Sequence, residues 1–285
     1  MMPGAQAERG WLIHHAIRPR KSFGQNFLVQ PQVATGLVRA MHLGPGAEVL
    51  EVGPGSGALT RALLDAGARV WAFEIDPRLC ELLRERFAEP LADGRFRLYE
   101  MSILEADPAL LDGASGAPVH LAGNLPYAIT TPILLWAIGH RSRFSGGAVL
   151  VQREVAERLA AGPGSRIYGS ITVWIGYHAR VRKAATVEPG AFWPVPKVDS
   201  SLITLEFHRA PPVELPDPSA LERVLAVAFG QRRKMLRSVF GAALGDPARA
   251  GAMLLEAGID PTRRAETLDL EEFAALARVA GDALR

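Results

Sequence analysis

Apolar residues in the first half of the chain fall into two alternating patterns. Short continuous runs at 48–52, 69–75, 96–99, 119–122 and 148–152 predict buried strands. Between them, apolar residues recur at three- and four-residue spacing and predict helices: Val33, Leu37, Val38 and Met41; Leu59, Ala62 and Leu63; Leu79, Leu82, Leu83 and Phe87. Pro31 and Asp76-Pro77 mark helix starts, and Gly67 marks a stop. A further helix over 133–138 follows Thr130-Thr131-Pro132, with Thr as the expected cap and Pro in the first turn. Strands alternating with helices at this rhythm predict an α/β fold with a doubly wound, mostly parallel sheet.

The pattern loosens afterwards. Gly162-Pro163-Gly164-Ser165 predicts a loop, and 179–187 and 201–208 predict two late strands joined by Phe192-Trp193-Pro194-Val195-Pro196-Lys197. Prolines at 211, 212, 216 and 218 mark a linker, beyond which only helical patterning remains, with Asp269-Leu270-Glu271-Glu272 a capping box for the last helix. The expected division is a large α/β domain over 1–210, its first 22 residues a basic, irregular extension, and a small helical domain over 211–285.

Composition narrows the partners. A formal net charge of +2 over 285 residues is no polycation, so any nucleic-acid contact must come from local patches. Cys80 is the single cysteine, which excludes an internal disulfide and fits a reducing compartment; cytosol is the expected location. No apolar run reaches the length of a membrane span. The seven histidines show no metal-ligand spacing, and no hydrolase nucleophile motif is present.

Two stretches carry the chemistry. Gly53-Pro54-Gly55-Ser56-Gly57 lies between a strand and a helix, where glycines let backbone approach a ligand closely. Its spacing is not that of a dinucleotide fingerprint, and no basic side chain adjoins it to meet a diphosphate. Glu51 and Glu74 instead end the first two strands of the sheet, Glu74 where an acid takes ribose hydroxyls in such folds. Acids beside a glycine turn suit a cation, which favours S-adenosylmethionine, with its sulfonium and ammonium, over a nicotinamide dinucleotide. The second stretch is Gly123-Asn124-Leu125-Pro126-Tyr127, at the carboxyl end of a strand. The Asn124 amide oxygen and the Leu125 carbonyl are acceptors, Pro126 restricts where that carbonyl points, and Tyr127 offers a flat face. Two acceptors and a ring suit a planar heterocycle with an exocyclic amine. Together the stretches predict methyl transfer to such an amine.

Five motifs then occur in order: Phe23-Gly24-Gln25-Asn26-Phe27-Leu28, Glu51 to Gly57, Glu74-Ile75-Asp76, Gly123 to Tyr127, and Phe192 to Ser200. Over about residues 18–240 the chain resembles the ribosomal RNA adenine dimethyltransferases, most closely the small-subunit type. The resemblance implies a Rossmann-like class I S-adenosylmethionine-dependent methyltransferase domain and transfer of four methyl groups to two adjacent adenosines near the 3′ end of small-subunit rRNA. It further implies a monomer acting on an assembling 30S subunit. Carried over by position, Asn26 and Leu28 close over the cofactor, Gly53 lies under its methionine part and Glu74 holds its ribose hydroxyls. Gln25, Glu51, Gly55, Gly57, Ile75, Ser102 and Asn124 are further cofactor-binding positions. Asn124, Leu125, Pro126 and Tyr127 form the amine pocket, with Phe192 as the opposite wall. One position departs: the family's usual acid facing the cofactor adenine is Ser102 here, a weaker acceptor.

A base entering such a pocket must leave its stack, which favours a loop or single strand. Candidate phosphate contacts are Arg18, Arg20 and Lys21 near the start, and Arg223, Arg232, Arg233, Lys234 and Arg237 in the helical domain. Rival readings are a large-subunit rRNA methyltransferase of the macrolide-resistance type, a DNA adenine methyltransferase, and a non-catalytic assembly or transcription factor on the same fold. The Phe192 stretch and Gln231-Arg232-Arg233-Lys234 favour the small-subunit type over the first. About 70 helical residues are little for reading a DNA sequence, and intact Glu51, Glu74, Asn124 and Tyr127 argue against the last.

Overall fold

The computed structural model describes residues 5–20, 23–111, 117–280 and 283–284. It opens with helix α1 (Ala5–His14), a two-residue strand β1 (Phe27–Leu28) and α2 (Pro31–Ala40). Then come β2 (Glu48–Val52), α3 (Ala58–Asp65), β3 (Arg69–Glu74), α4 (Pro77–Arg86), the short α5 (Ala88–Ala92), β4 (Phe96–Glu100), β5 (Val119–Asn124), α6 (Thr130–Gly139) and β6 (Phe144–Gln152). The rest is α7 (Arg153–Leu159), α8 (Ser170–His178), β7 (Ala179–Val187), β8 (Phe192–Trp193), β9 (Ser200–Phe207), α9 (Pro218–Gly230), α10 (Leu236–Leu244), α11 (Pro247–Glu256) and α12 (Leu270–Ala280).

Seven strands form one sheet in the order β4-β3-β2-β5-β6-β9-β7. The pairs β4–β3, β3–β2, β2–β5 and β5–β6 are parallel, and β9 joins β6 antiparallel. All five residues of β2 are buried, as expected for a central parallel strand covered on both faces. The chain winds from β2 outward through β3 and β4, then returns to β5 on the other flank. That reversal between β2 and β5 is the switch point where such sheets open a crevice at their carboxyl ends. Register brings the ends together: Val52 lies opposite Phe73 on one side and Gly123 on the other. Glu51, Glu74 and Asn124 therefore converge.

The sheet matches the predicted α/β class, but several local expectations change. Residues 5–14 are helical rather than irregular. Leu12 of that helix is fully buried with Ile17, Phe27, Leu79 and Leu82 in a small cluster. Thr130 is not a cap: Ile129 occupies that position, and the Thr130 hydroxyl donates to the Pro126 carbonyl at 3.1 Å. The expected Asp76 cap is present, its carboxylate accepting from the Arg78 N–H. So is the capping box, in which Asp269 and Glu272 each accept the other's backbone N–H at 2.8 and 3.0 Å.

The chain divides into two compact units, one of residues up to 156 with 182–207, the other of 157–181 with 208–285. The expected boundary near 210 thus misses that 157–181 belongs to the helical unit. Tyr168, Val173 and Tyr177 are buried there with Leu221, Val224, Phe240, Leu254 and Phe273. A lone helix cannot hide so apolar a face, so the segment joins the unit whose helices cover it.

Candidate active site

A cleft of about 890 Å³, including the solvent at its mouth, opens at the switch point. Gln25, Asn26, Leu28, Glu51, Gly53, Gly55, Glu74, Ile75, Ser102, Asn124, Leu125, Pro126 and Tyr127 line it. Residues from five separate stretches of sequence thus share one wall system. Gly57 and Phe192 stand outside it. Gly57 caps α3 with φ +87°, and a Cβ there would come within 2.5 Å of the Phe87 ring, so its glycine answers to packing beneath the loop. Phe192 is buried in the core against Leu28, its β1 partner in register, and is no opposite wall. Residues alternate sides along a strand, and it is Trp193 that reaches the surface layer.

The glycine loop is held from outside. The Gly55 N–H donates to Glu74 Oε2 at 3.2 Å, and Gly55 adopts φ +59°, open to glycine without strain. Glu74 Oε1 accepts from the Ile75 and Asp76 N–H groups at 2.9 and 3.0 Å. A carboxylate has about four lone-pair sites, so roughly one remains on Oε2. Burial raises the Glu74 pKa above the ordinary value, against the three backbone bonds that lower it. Glu51 is deeper still. Burial pushes its carboxyl up to about 8, opposed by the Thr60 hydroxyl donating at 2.7 Å and reinforced by the nearby Glu74. A carboxyl so poised near neutrality takes full charge when a cation settles beside it.

The electrostatics of the lining are one-sided. Among the described residues it contains two glutamates and no lysine, arginine or histidine. A diphosphate would find no counter-charge here, whereas a cationic ligand without phosphate would. The donor set therefore fits S-adenosylmethionine and not a dinucleotide. Phe23, Phe27, Phe73, Met101 and Ile103 add apolar surface for a flat ring, a contribution that the motifs alone did not reveal. Ser102 lies on the cleft, and its hydroxyl already accepts the Leu104 N–H at 3.2 Å.

Across the cleft, the Asn124 amide is oriented by one bond: its Nδ2 donates to the Asn26 carbonyl at 2.7 Å. That leaves the amide oxygen as the group available to an incoming N–H. The Leu125 N–H is tied to the Leu150 carbonyl at 3.0 Å, and the Leu125 side chain is buried, which anchors the loop before Pro126. The Tyr127 hydroxyl lies 2.9 Å from the Ser200 hydroxyl, so the half-buried ring is fixed at both ends. Burial raises the Tyr127 pKa further, against that bond, and the phenol stays neutral at physiological pH.

The N-terminal wall is stitched on by Asp76. Its carboxylate accepts from Gln25 Nε2 at 3.0 Å and from Arg78 at 2.6 Å, with Arg20 3.6 Å away. Burial would raise the Asp76 pKa, but the Arg78 and Gln25 donors outweigh it and hold the carboxylate below its ordinary value. Asp-Pro signalled the helix cap; nothing local signalled the Gln25 bond fifty residues away.

The expected RNA contacts separate into two kinds. Arg18, Arg233, Lys234 and Arg237 are exposed. Arg20 is drawn toward Asp76, Arg223 donates to Asp217 at 3.0 Å, and Arg232 donates to the Arg166 and Tyr168 carbonyls. Those three arginines are engaged within their own units. Lys21 lies outside the described residues.

Residues 16–281 match the family model described as ribosomal RNA adenine dimethylase. A ribosomal RNA small subunit methyltransferase A from Magnetococcus marinus is 42% identical over 266 residues, covering 93% of each chain. Among solved structures, a dimethyladenosine transferase from Plasmodium falciparum superposes with a TM-score of 0.75 at 24% identity, covering 89% of this chain and 97% of that one. The 23S rRNA methyltransferase ErmE does so with a TM-score of 0.68 at 26% identity, covering 89% and 99%.

Proposed function

The chain belongs to the ribosomal RNA adenine dimethylase family, and on that premise we propose that it methylates the N6 amines of two adjacent adenosines near the 3′ end of small-subunit (16S) rRNA, forming N6,N6-dimethyladenosine. The observation that carries this reading is the cleft's pairing of a lining free of basic side chains with the Asn124 oxygen left open to an N–H donor. S-adenosylmethionine, when bound, supplies a methyl group activated by the sulfonium. Glu51 faces the cationic methionine part, the remaining lone pair of Glu74 takes a ribose hydroxyl, and the apolar residues with Ser102 hold the adenine.

The target nitrogen is a poor nucleophile because its lone pair is delocalised into the ring. The Asn124 oxygen and the Leu125 carbonyl accept its N–H groups and favour the pyramidal geometry that frees the lone pair. Those bonds strengthen as positive charge develops on nitrogen, so they act in the transition state. Tyr127, pinned through Ser200, stacks on the base and sets its approach. No strong base is required, since the methylated nitrogen is acidic enough to release its proton to water.

The small-subunit substrate is favoured over the large because the relatives named for the small subunit reach 42% identity, against 26% for ErmE. The physiological partner is rRNA within an assembling 30S subunit, and the enzyme acts as a cytoplasmic monomer: one chain supplies the cleft lining, and the sole cysteine is buried and free. Arg18, Arg233, Lys234 and Arg237 supply phosphate contacts from their respective units. The test is labelled methyl transfer to undermethylated small and large subunits, followed by mapping of the modified base. Label in two adjacent small-subunit adenosines is the expected result; label confined to the large subunit would replace this reading.

A further inference from the structure

Arg86, at the last turn of α4, is used by neither the cleft lining nor the family motifs, yet it is nine-tenths buried and fully engaged. Its Nη1 donates to Glu8 Oε1 at 2.6 Å and to the Ser56 carbonyl at 2.7 Å, and its Nη2 donates to Glu8 Oε2 at 2.9 Å. The guanidinium also lies over the Trp11 ring, 4.2 Å from its centroid. Glu8 and Trp11 belong to α1, and Ser56 lies within the glycine loop. Through one side chain, a helix at the start of the chain grips the backbone that lines the cleft.

We infer that Arg86 is a positioning residue of the cofactor cleft, and that α1 serves the cleft by supplying Glu8 as its counter-ion. The physics is that of a buried pair. A guanidinium this buried stays in place only while a carboxylate neutralises it, and removing one partner leaves an uncompensated charge. Arg86 also borders a second groove that contains Glu85 and Glu89. Without Glu8, those carboxylates draw the guanidinium outward, and the Ser56 carbonyl loses its donor. Ser56 is almost wholly buried, so water cannot replace that donor readily. Of the two side chains that hold the backbone from Gly53 to Gly57, only Glu74 on the Gly55 N–H then remains, beside the backbone bonds of Gly53 to Phe73 and Gly57 to Pro54, and cofactor affinity falls. Lysine substitutes poorly, because its ammonium lacks the planar fork that meets the two Glu8 oxygens side by side while also reaching the Ser56 carbonyl.

The assignment rests on the cleft being the S-adenosylmethionine site, and the experiment keeps the two apart. S-adenosylhomocysteine binding is measured by calorimetry on the full-length wild type, on Glu8→Gln, and on the double variant Glu8→Gln/Arg86→Leu, alongside melting temperatures. Glu8→Gln strands a buried charge and melts lower; the double variant removes both charges and melts near the wild type. Both bind S-adenosylhomocysteine roughly tenfold more weakly, because neither holds the Ser56 carbonyl. Affinity within about fivefold of the wild type in either variant, or affinity that returns with the melting temperature in the double variant, overturns the assignment. A wild type that binds no S-adenosylhomocysteine overturns the functional reading and this assignment with it.

Discussion

On one side of the cleft the chain presents backbone, residues 53–56; on the other it presents side chains, from Asn124 to Tyr127. The backbone wall is held by groups behind it: Glu74 on the Gly55 N–H, Arg86 on the Ser56 carbonyl, and the Phe87 ring under Gly57. The side-chain wall is held by short tethers that leave its functional atoms open: Asn26 on the Asn124 amide, Ser200 on the Tyr127 hydroxyl. A wall of backbone can be loosened only through its supports, and it answers in affinity and stability. A wall of side chains answers directly in rate.

Substitutions should separate these responses. The largest effect is expected from Asn124→Ala, which removes an acceptor that acts as charge develops and should cut kcat by roughly 10²–10³ on undermethylated subunits; S-adenosylhomocysteine affinity, measured in parallel, should change far less. Gly57→Ala attacks the opposite wall from beneath. A Cβ at φ +87° and 2.5 Å from Phe87 should cost about 2–3 kcal/mol of stability, read in urea melts, with kcat of the folded fraction preserved.

Glu51→Gln tests the acid under that wall through pH. In the folded protein Glu51 keeps its proton up to about 8, whereas the unfolded chain releases it near the ordinary 4.5. Between those values the native state binds more protons, so its stability falls as pH rises, by roughly 1 kcal/mol per pH unit. The Gln variant should lose that slope and be the more stable protein above pH 8; identical slopes in paired melts would remove Glu51 as its source. The smallest effect belongs to Tyr127→Phe, which keeps the ring and loses the Ser200 tether. It should raise KM for RNA by the equivalent of about 0.5–1.5 kcal/mol, and no change would mean that stacking alone orients the ring.

Much of the cleft was legible in the sequence because its parts are local. Strand-end acids, a glycine turn and an Asn-Leu-Pro-Tyr loop each declare themselves within a few residues, and the α/β rhythm brings them to one edge. What escaped depends on partners far along the chain. Helix α1 looked irregular because its large apolar residues, Trp11, Leu12 and Ile13, are consecutive rather than helically spaced; Glu8 is buried only because Arg86 neutralises it. Phe192 was expected in the pocket because the family resemblance placed it there, but a two-residue pairing with Phe27–Leu28 turns its ring into the core. Arg223 and Arg232 counted as free charges until Asp217 and the carbonyls of Arg166 and Tyr168 engaged them. Charge counts along a sequence do not distinguish a cation that binds a partner from one that ties a loop.

The β1–β8 ribbon has a consequence for biosynthesis. Phe27 and Leu28 emerge early from the ribosome, but Trp193 and Phe192, their partners, follow only after about 165 more residues. A nascent chain that ends at β6 already holds both glutamates, the glycine loop and Asn124, yet the segment carrying Gln25 and Leu28 has only its bonds to Asp76 and Asn124 and lacks its strand partner. Contacts of such separation form late, because loop closure must be paid before they reward it. Full support of the N-terminal wall is thus deferred until β8 is made, one strand before β9 completes the sheet.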